Sequence, residues 1–285
     1  MGCISCAGAV LGESVLTLRR KESGTAPVVA ETICPDRFAG LSQAAIAALP
    51  ARHGDEDVTL GDLFEIDGAN PFSVNVTGDL RMVERIGWGM SMGRVVVAGD
   101  VGAHVGARLS GGELVVLGDA GEWAGAGLAG GRLIVEGRAG DGVGAAGPAQ
   151  QERMSGGTIV VRGDAGRGVG TGMDDGMIVV LGGTGEETGA GMRGGALFVA
   201  GRLGRGPGIG MEGGSIVALD GADGLPDTFR PASTYSPVFP EHFLRELRRW
   251  GLAGEKESVI GVFRRYLGDL DDVGKGEILL RDQSQ

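Results

Sequence analysis

Apolar and polar positions fall into one recurring frame between about Gly87 and Asp220, M/L-x-G-G-x-h-h-h-x-G, where h is an apolar residue. The second glycine of the unit is Gly93, Gly112, Gly131, Gly157, Gly176, Gly195 and Gly214, at steps of 19, 19, 26, 19, 19 and 19 residues. Three positions before it stand Met90, Leu109, Leu128, Met154, Met173, Met192 and Met211, so five of the nine methionines share one slot. Six positions after it stand Gly99, Gly118, Gly137, Gly163, Gly182 and Gly201, with Asp220 in the last copy. Runs such as Val95-Val96-Val97, Leu133-Ile134-Val135 and Ile178-Val179-Val180 are short, β-branched and bounded by turn residues, which predicts strands. The spaced glycines between them, as in Gly166 to Gly172, predict turns with positive φ rather than helix.

A unit of this length cannot bury its own apolar face and must stack on identical neighbours. The fold class predicted is all-β: a right-handed parallel β-helix, a solenoid of single strands with about 19 residues per repeat and short helical or irregular terminal caps. Stacking turns the Met/Leu slot into an internal ladder. Strand alternation sends Leu114 and Val116, Ile159 and Val161, or Ile216 and Ala218 inward, and Glu113, Thr158 and Ser215 outward. The middle positions Val96, Val115, Ile134, Val160, Val179, Phe198 and Val217 are apolar too, so an outward stripe needs a cover. Terminal segments of the chain and a neighbouring protein of a complex both fit that role. The closing glycines, Gly163 and Gly182 among them, are expected at φ > 0 on a sharp corner.

Outside the repeats the frame dissolves. The chain divides into a leader and cap over 1–62, the glycine-rich repeats over 63–220, and a helical cap and tail over 221–285. Leu63–Asp67 and Phe72–Val76 read as irregular units leading in. Ser42 caps a short helix through Leu49 that Pro50 ends. After Pro240, the spacing of Phe243, Leu244, Leu247 and Trp250 predicts an amphipathic helix packing as a cap. Its other face carries Arg245, Arg248 and Arg249, with Arg264 and Arg265 beyond; a solvated face and a docking patch for an acidic partner both fit. Seven extra residues in the fourth repeat, around Gly147–Arg153, are expected to loop out at one corner.

Composition narrows the function. Glycine supplies 58 of 285 residues without a triplet period, and apolar β-branched residues are plentiful, which excludes collagen and disorder. A net charge of −11 argues against nucleic acid. No apolar run is long enough for a membrane, and no signal peptide is recognisable. Three cysteines, Cys3, Cys6 and Cys34, point to a reducing compartment and a cytoplasmic location. Cys3 and Cys6 form C-x-x-C without a second pair, and the role of residues 1–24 is not legible. The histidines are His53, His104 and His242, with no metal-ligand spacing among them. Glycine runs lack the strand-to-helix context of a dinucleotide site. Asp100, Asp119 and Asp164 recur after the closing glycine in a register that fits turn formation rather than catalysis. No catalytic, cofactor-binding or metal-ligating residue is therefore assigned.

The repeat resembles the G-x-G-x-G domain shared by the C-terminal region of glutamate synthase large subunits and the C subunit of formylmethanofuran dehydrogenase. Pro35-Asp36-Arg37-Phe38-Ala39-Gly40-Leu41-Ser42 and Leu60-Gly61-Asp62-Leu63-Phe64-Glu65-Ile66-Asp67-Gly68 are similar to the leader of the formylmethanofuran dehydrogenase branch. Arg265–Leu270 and Gly274–Leu279 resemble the tail of its bacterial form, in the formyltransferase/hydrolase complex of methylotrophs. The resemblance implies a β-helical structural subunit in tetrahydromethanopterin-linked one-carbon metabolism. Other subunits of the hetero-oligomer would hold the formyltransferase site and a metal-dependent hydrolase site. It implies a methanofuran-type carrier and tetrahydromethanopterin for the complex, and no cofactor on this chain. A glutamate synthase relative in nitrogen metabolism and a carbohydrate-active β-helix are the alternatives.

Overall fold

The computed structural model describes residues 15–22, 24–146, 152–236, 248, 261–271 and 274–282. The repeats supply seven strands, β8 (Arg94–Ala98), β9 (Glu113–Val116), β10 (Arg132–Val135), β11 (Ser155–Val161), β12 (Asp175–Val180), β13 (Ala196–Val199) and β14 (Ser215–Ala218). Each pairs in parallel with the next, so that Leu114, Leu133, Ile159, Ile178, Leu197 and Ile216 share one register position. A second parallel ladder joins the starts of successive repeats through Val101, Ala120, Ala139, Ala165, Thr184, Leu203 and Ala222. Both ladders absorb the longer fourth step without losing register. The result is predominantly β: a large mixed sheet of thirteen strands among the described residues.

The Met/Leu slot lies inside, and all seven of its side chains are fully buried. Each methionine tip fills the space that the next repeat's second glycine leaves open. A Cβ on Gly214 would come within 2.6 Å of the Met192 methyl, and one on Gly176 within 2.7 Å of the Met154 methyl. These glycines also sit at positive φ, 90° and 106°. Two physical demands thus converge on one residue type.

The closing glycines behave differently. Gly99 has φ 133°, but Gly118, Gly137, Gly163, Gly182 and Gly201 are not in the left-handed region. The expected reason for them is corrected: the constraint is close approach of backbones. A Cβ on Gly182 would stand 2.4 Å from Asp164 Oδ1 and 2.7 Å from the Gly163 carbonyl carbon. The aspartates are corrected in the same way. Asp100, Asp119 and Asp164 accept from the N–H of Asp119, Arg138 and Gly183, one repeat on, at 2.7 to 2.9 Å, rather than closing a local turn.

The leader begins with β1 (Val15–Arg20), β2 (Val28–Val29) and α1 (Pro35–Phe38), followed by α2 (Gln43–Ala47), β3 (Pro50–His53) and β4 (Glu56–Thr59). Then come α3 (Leu60–Leu63), β5 (Phe64–Asp67), β6 (Asn70–Thr77) and β7 (Val83–Glu84). Strand β6 pairs in parallel with β8 and so acts as a further rung. β1, inside the stretch without a legible role, adds another in parallel, and β5 closes that edge antiparallel to β1. Ser42 caps α2 as expected, accepting from the Ala45 N–H at 3.3 Å.

At the other edge the described residues are strands where a helical cap is expected: β15 (Arg230–Tyr235), β16 (Phe263–Gly268) and β17 (Gly276–Arg281). β17 continues the parallel stack on β14, and β16 and β15 turn antiparallel. Of the expected helix after Pro240, only Arg248 lies among the described residues; it is helical and exposed. The middle stripe is covered within the chain. Val160, Val179, Phe198 and Val217 are at most 1% exposed, in a cluster that includes Phe263 of β16 and Leu279 of β17. Toward the leader the cover thins, and Val96 is only half-buried.

Candidate functional site

Chemistry on this chain concentrates at the glycine-turn corner, a few residues after each start-of-repeat bridge. That position is held by Arg85, His104, Trp123, Gly142, Gly168, Glu187 and Gly206, and every one has φ between 60° and 73°. An L-residue pays about 1–2 kcal/mol for this conformation. Since Gly142, Gly168 and Gly206 meet the fold's need without that cost, the four bulky residues hold strained positions for another reason. Arg108, at φ 59°, replaces glycine in a second left-handed slot of the same turn.

The bulky residues form a column. The Arg85 and Arg108 guanidinium carbons each lie 4.9 Å from the Trp88 ring centroid. His104 meets Trp88 edge-on at 6.2 Å and stacks on Trp123 at 6.4 Å with 14° between planes. Arg85 also pairs with Glu31 at 3.2 Å, and Arg108 pairs with Glu152. Burial, helped by the Arg85 charge, holds the His104 imidazole below its usual range, against the pull of Glu84 and Glu122. It stays neutral at pH 7 and is free to stack. Two cations on one indole, with two further rings behind, form a surface of the composition that dominates binding interfaces.

Beyond Trp123, whose ring lies over Gly142, the ladder is open at Gly168, and a cavity of about 300 Å³ lies there, lined by Trp123 on one side and by Arg167 and Glu187 on the other. Arg167 Nη2 donates to Glu187 Oε1 at 2.7 Å.

The residues flagged in the sequence are not brought together. His53 lies on β3, His104 is in the column, and His242, Cys3 and Cys6 are outside the described residues. Among the described residues no three His, Cys, Asp or Glu side chains gather as a metal-binding group, and no helix is long and apolar enough to cross a membrane. Arg264 pairs with Asp282 and Arg265 with Glu277, at 3.2 and 2.7 Å; Arg245 and Arg249 lie outside the described residues. The column itself is not among the sequence expectations. Its signal is nevertheless available there: in repeat alignment, Arg85, His104, Trp123 and Glu187 stand where other repeats have glycine.

The leader and tail motifs work as clasps. Cys34 Sγ donates to Asp36 Oδ2 at 3.2 Å, and Ser91 of the first repeat donates to Asp36 through its N–H at 3.0 Å and through its hydroxyl. Burial works against the Asp36 carboxylate, but these donors outweigh it and hold its pKa below the usual value. Burial and the bond to Asp36 push the Cys34 thiol up to about 12, so it stays protonated. Thr59 and Asp62 form a reciprocal capping box on α3. In the tail, Asp269 accepts from the Gly210 N–H at 3.0 Å and fastens β16 to the last repeat.

No protein-family model matches the chain. It is similar to the C subunit of the tungsten-containing formylmethanofuran dehydrogenase 2 of Methanothermobacter thermautotrophicus, 38% identical over 99 residues, which is 33% of this chain and 37% of that protein. It is likewise 38% identical over 81 residues to the C subunit of the molybdenum-containing formylmethanofuran dehydrogenase 1 of Methanosarcina barkeri, 27% of each chain. These matches span little more than a third of the curated relatives' length at most. A solved structure extends the likeness. A chain of the formyltransferase/hydrolase complex (FhcABCD) from Methylorubrum extorquens, in complex with methylofuran, superposes with a TM-score of 0.86 at 35% identity, covering 94% of this chain and 100% of that one.

Proposed function

Because this chain belongs to the family of formylmethanofuran dehydrogenase C subunits, we propose that it is a non-catalytic, structural subunit of a formyltransferase/hydrolase-type complex in one-carbon metabolism. The observation that carries the reading is the agreement over 94% of the chain with the whole of a chain from such a complex. The clasps support it, because the leader and tail motifs most similar to that family hold the ends onto the repeats. In this reading the repeats form a right-handed parallel β-helix. Two parallel ladders in common register support it, as does the strong preference of parallel crossovers for the right hand. Residues 1–62 and 221–285 are its caps and residues 63–220 its body.

The formyltransferase and hydrolase sites, the hydrolase metal and the tetrahydromethanopterin and methanofuran-type substrates then belong to the other subunits, in the cytoplasm. The column of Arg85, Trp88, His104, Arg108 and Trp123 suits contact between subunits better than turnover, since it offers cations and rings but no nucleophile, and its one imidazole is packed between two indoles. The test is reconstitution. The purified chain should neither transfer nor hydrolyse the formyl group of a formylated carrier, while the remaining subunits without it should fail to reach the full assembly's mass in light scattering. Turnover by the chain alone, or a fully active complex formed without it, overturns the reading.

A further inference from the structure

The glycine-turn ladder has bulky rungs at Arg85, His104 and Trp123, then two glycine rungs, then Glu187. The Trp123 ring takes up the space over Gly142, so the open rung is the one at Gly168, one strand spacing of about 5 Å along the stack, and the cavity of about 300 Å³ lies there. Its volume is at the lower end for small-molecule sites. At one end is the Trp123 ring, which His104 backs on one side. The ring overlies Gly142, where a Cβ would come within 2.8 Å of its Cε3. Above Gly168 a Cβ would approach only the Thr171 hydroxyl, at 3.2 Å. Trp123 thus ends a stacked column at an opening one rung tall, the space that a single flat ring takes in a stack.

The far end is polar. Arg167 and Glu187 hold each other side by side, Nε to Oε2 at 3.3 Å and Nη2 to Oε1 at 2.7 Å. A guanidinium has five N–H donors and a carboxylate about four acceptor positions, so each keeps capacity to spare. Together they present a donor next to an acceptor. Asp141 is turned to the fold, accepting the Arg167 N–H at 2.8 Å, which fixes the backbone from which the Arg167 side chain departs.

We propose that this gap is a binding site for a planar heteroaromatic ring that continues the Trp88–His104–Trp123 column and places a lactam edge against Arg167 and Glu187. The carbonyl of such an edge accepts from Arg167, and its ring N–H and exocyclic amine donate to Glu187. No phosphate loop is involved, so the absence of a dinucleotide motif is no obstacle. The site stands independently of the assembly reading. Rings with this edge occur in guanine nucleosides and in pterins, and the two sources are separated by titrating both.

The test uses the full chain with Trp88→Phe and Trp250→Phe, which leaves Trp123 as the fluorescent reporter. Guanosine and 6,7-dimethylpterin are titrated beside tyramine, a flat ring without a lactam edge, and cyclohexylamine, which is not flat. Saturable quenching by guanosine or the pterin is expected, about tenfold tighter than by tyramine, with none by cyclohexylamine; whichever lactam binds tighter identifies the source. Gly168→His fills the gap as His104 fills its own rung, and should abolish quenching while lowering the thermal midpoint only by the few degrees that about 1–2 kcal/mol of left-handed strain implies. Glu187→Gln keeps the ladder and should bring lactam binding down to the tyramine level, which covers the case of a filled variant that fails to fold. Absence of saturable quenching by both lactams, equal binding of tyramine, or binding that survives both substitutions overturns the proposal.

Discussion

The strand side and the glycine-turn side of each repeat obey different rules. On the strand side every rung is chemically alike: Leu114, Leu133, Ile159, Ile178, Leu197 and Ile216 follow one another in register, all at most 1% exposed. On the turn side one position runs from arginine through histidine and tryptophan to glycine and glutamate on an almost constant backbone. A shared backbone with divergent side chains shows that stacking needs only the left-handed turn there and leaves the side chain free. Uniform rungs carry stability, and variable rungs are left free for other work.

The contrast breaks first in the interior. Met192→Asp puts a carboxylate in a fully buried slot against Gly214 and should cost at least about 4 kcal/mol, seen as insoluble expression or a collapsed melting midpoint; unchanged melting would show the slot is not internal. Gly182→Val comes next, at about 3 kcal/mol from overpacking against Asp164 and Gly163, measured by urea denaturation. On the turn side the effects are smaller and depend on pH. The folded value of His104 lies below the 6.5 of a free imidazole. Its contribution is whole above the unfolded value and declines as pH falls below it, because the unfolded chain takes up the proton first. His104→Asn should therefore lose this part of the acid sensitivity, so that the stability gap between the two proteins narrows from neutral pH to about pH 5. A gap that widens on acidification would place the histidine elsewhere. The smallest effect is a null one: in a Cys3→Ser, Cys6→Ser background, Cys34 should not react with a thiol reagent until the chain unfolds, because its thiol is buried and protonated.

The strand side was legible because burial leaves a compositional trace. A slot filled by methionine or leucine seven times can be read as interior without coordinates, and so it is. The reason for Gly163 and Gly182 was not legible, since sequence records that a side chain is missing but not whether φ or a neighbouring backbone forbids it. The partners of Asp100 and Asp119 were missed for a related cause: a bond to a residue 19 positions away looks local only once the repeats are stacked. β1 carries no repeat glycine, and what makes it a rung is the edge it pairs with; β17 keeps Gly276 in the slot of Gly214, against Met211, but 62 residues on rather than 19, so the repeat's spacing does not reveal it. The column was hidden by scale, because Arg85, His104 and Trp123 are far apart along the chain and become adjacent only through the ladder.

The longer fourth repeat has a use in protein engineering. Ala139 and Ala165 keep the bridge that other repeats make over 19 residues, and Asp141 still accepts the Arg167 N–H across the longer interval. Glu152 and Arg153 pin the returning chain, one to Arg108 and the other to the Gly172 carbonyl at 2.9 Å. The stack therefore reads across the interruption as if it were absent. Each doubling of the chain between Ala146 and Glu152 costs only about 0.6 kcal/mol in closure entropy, so a foreign peptide or a small domain whose ends lie close together could be spliced there as displayed cargo, with Arg108 and Gly172 as its moorings.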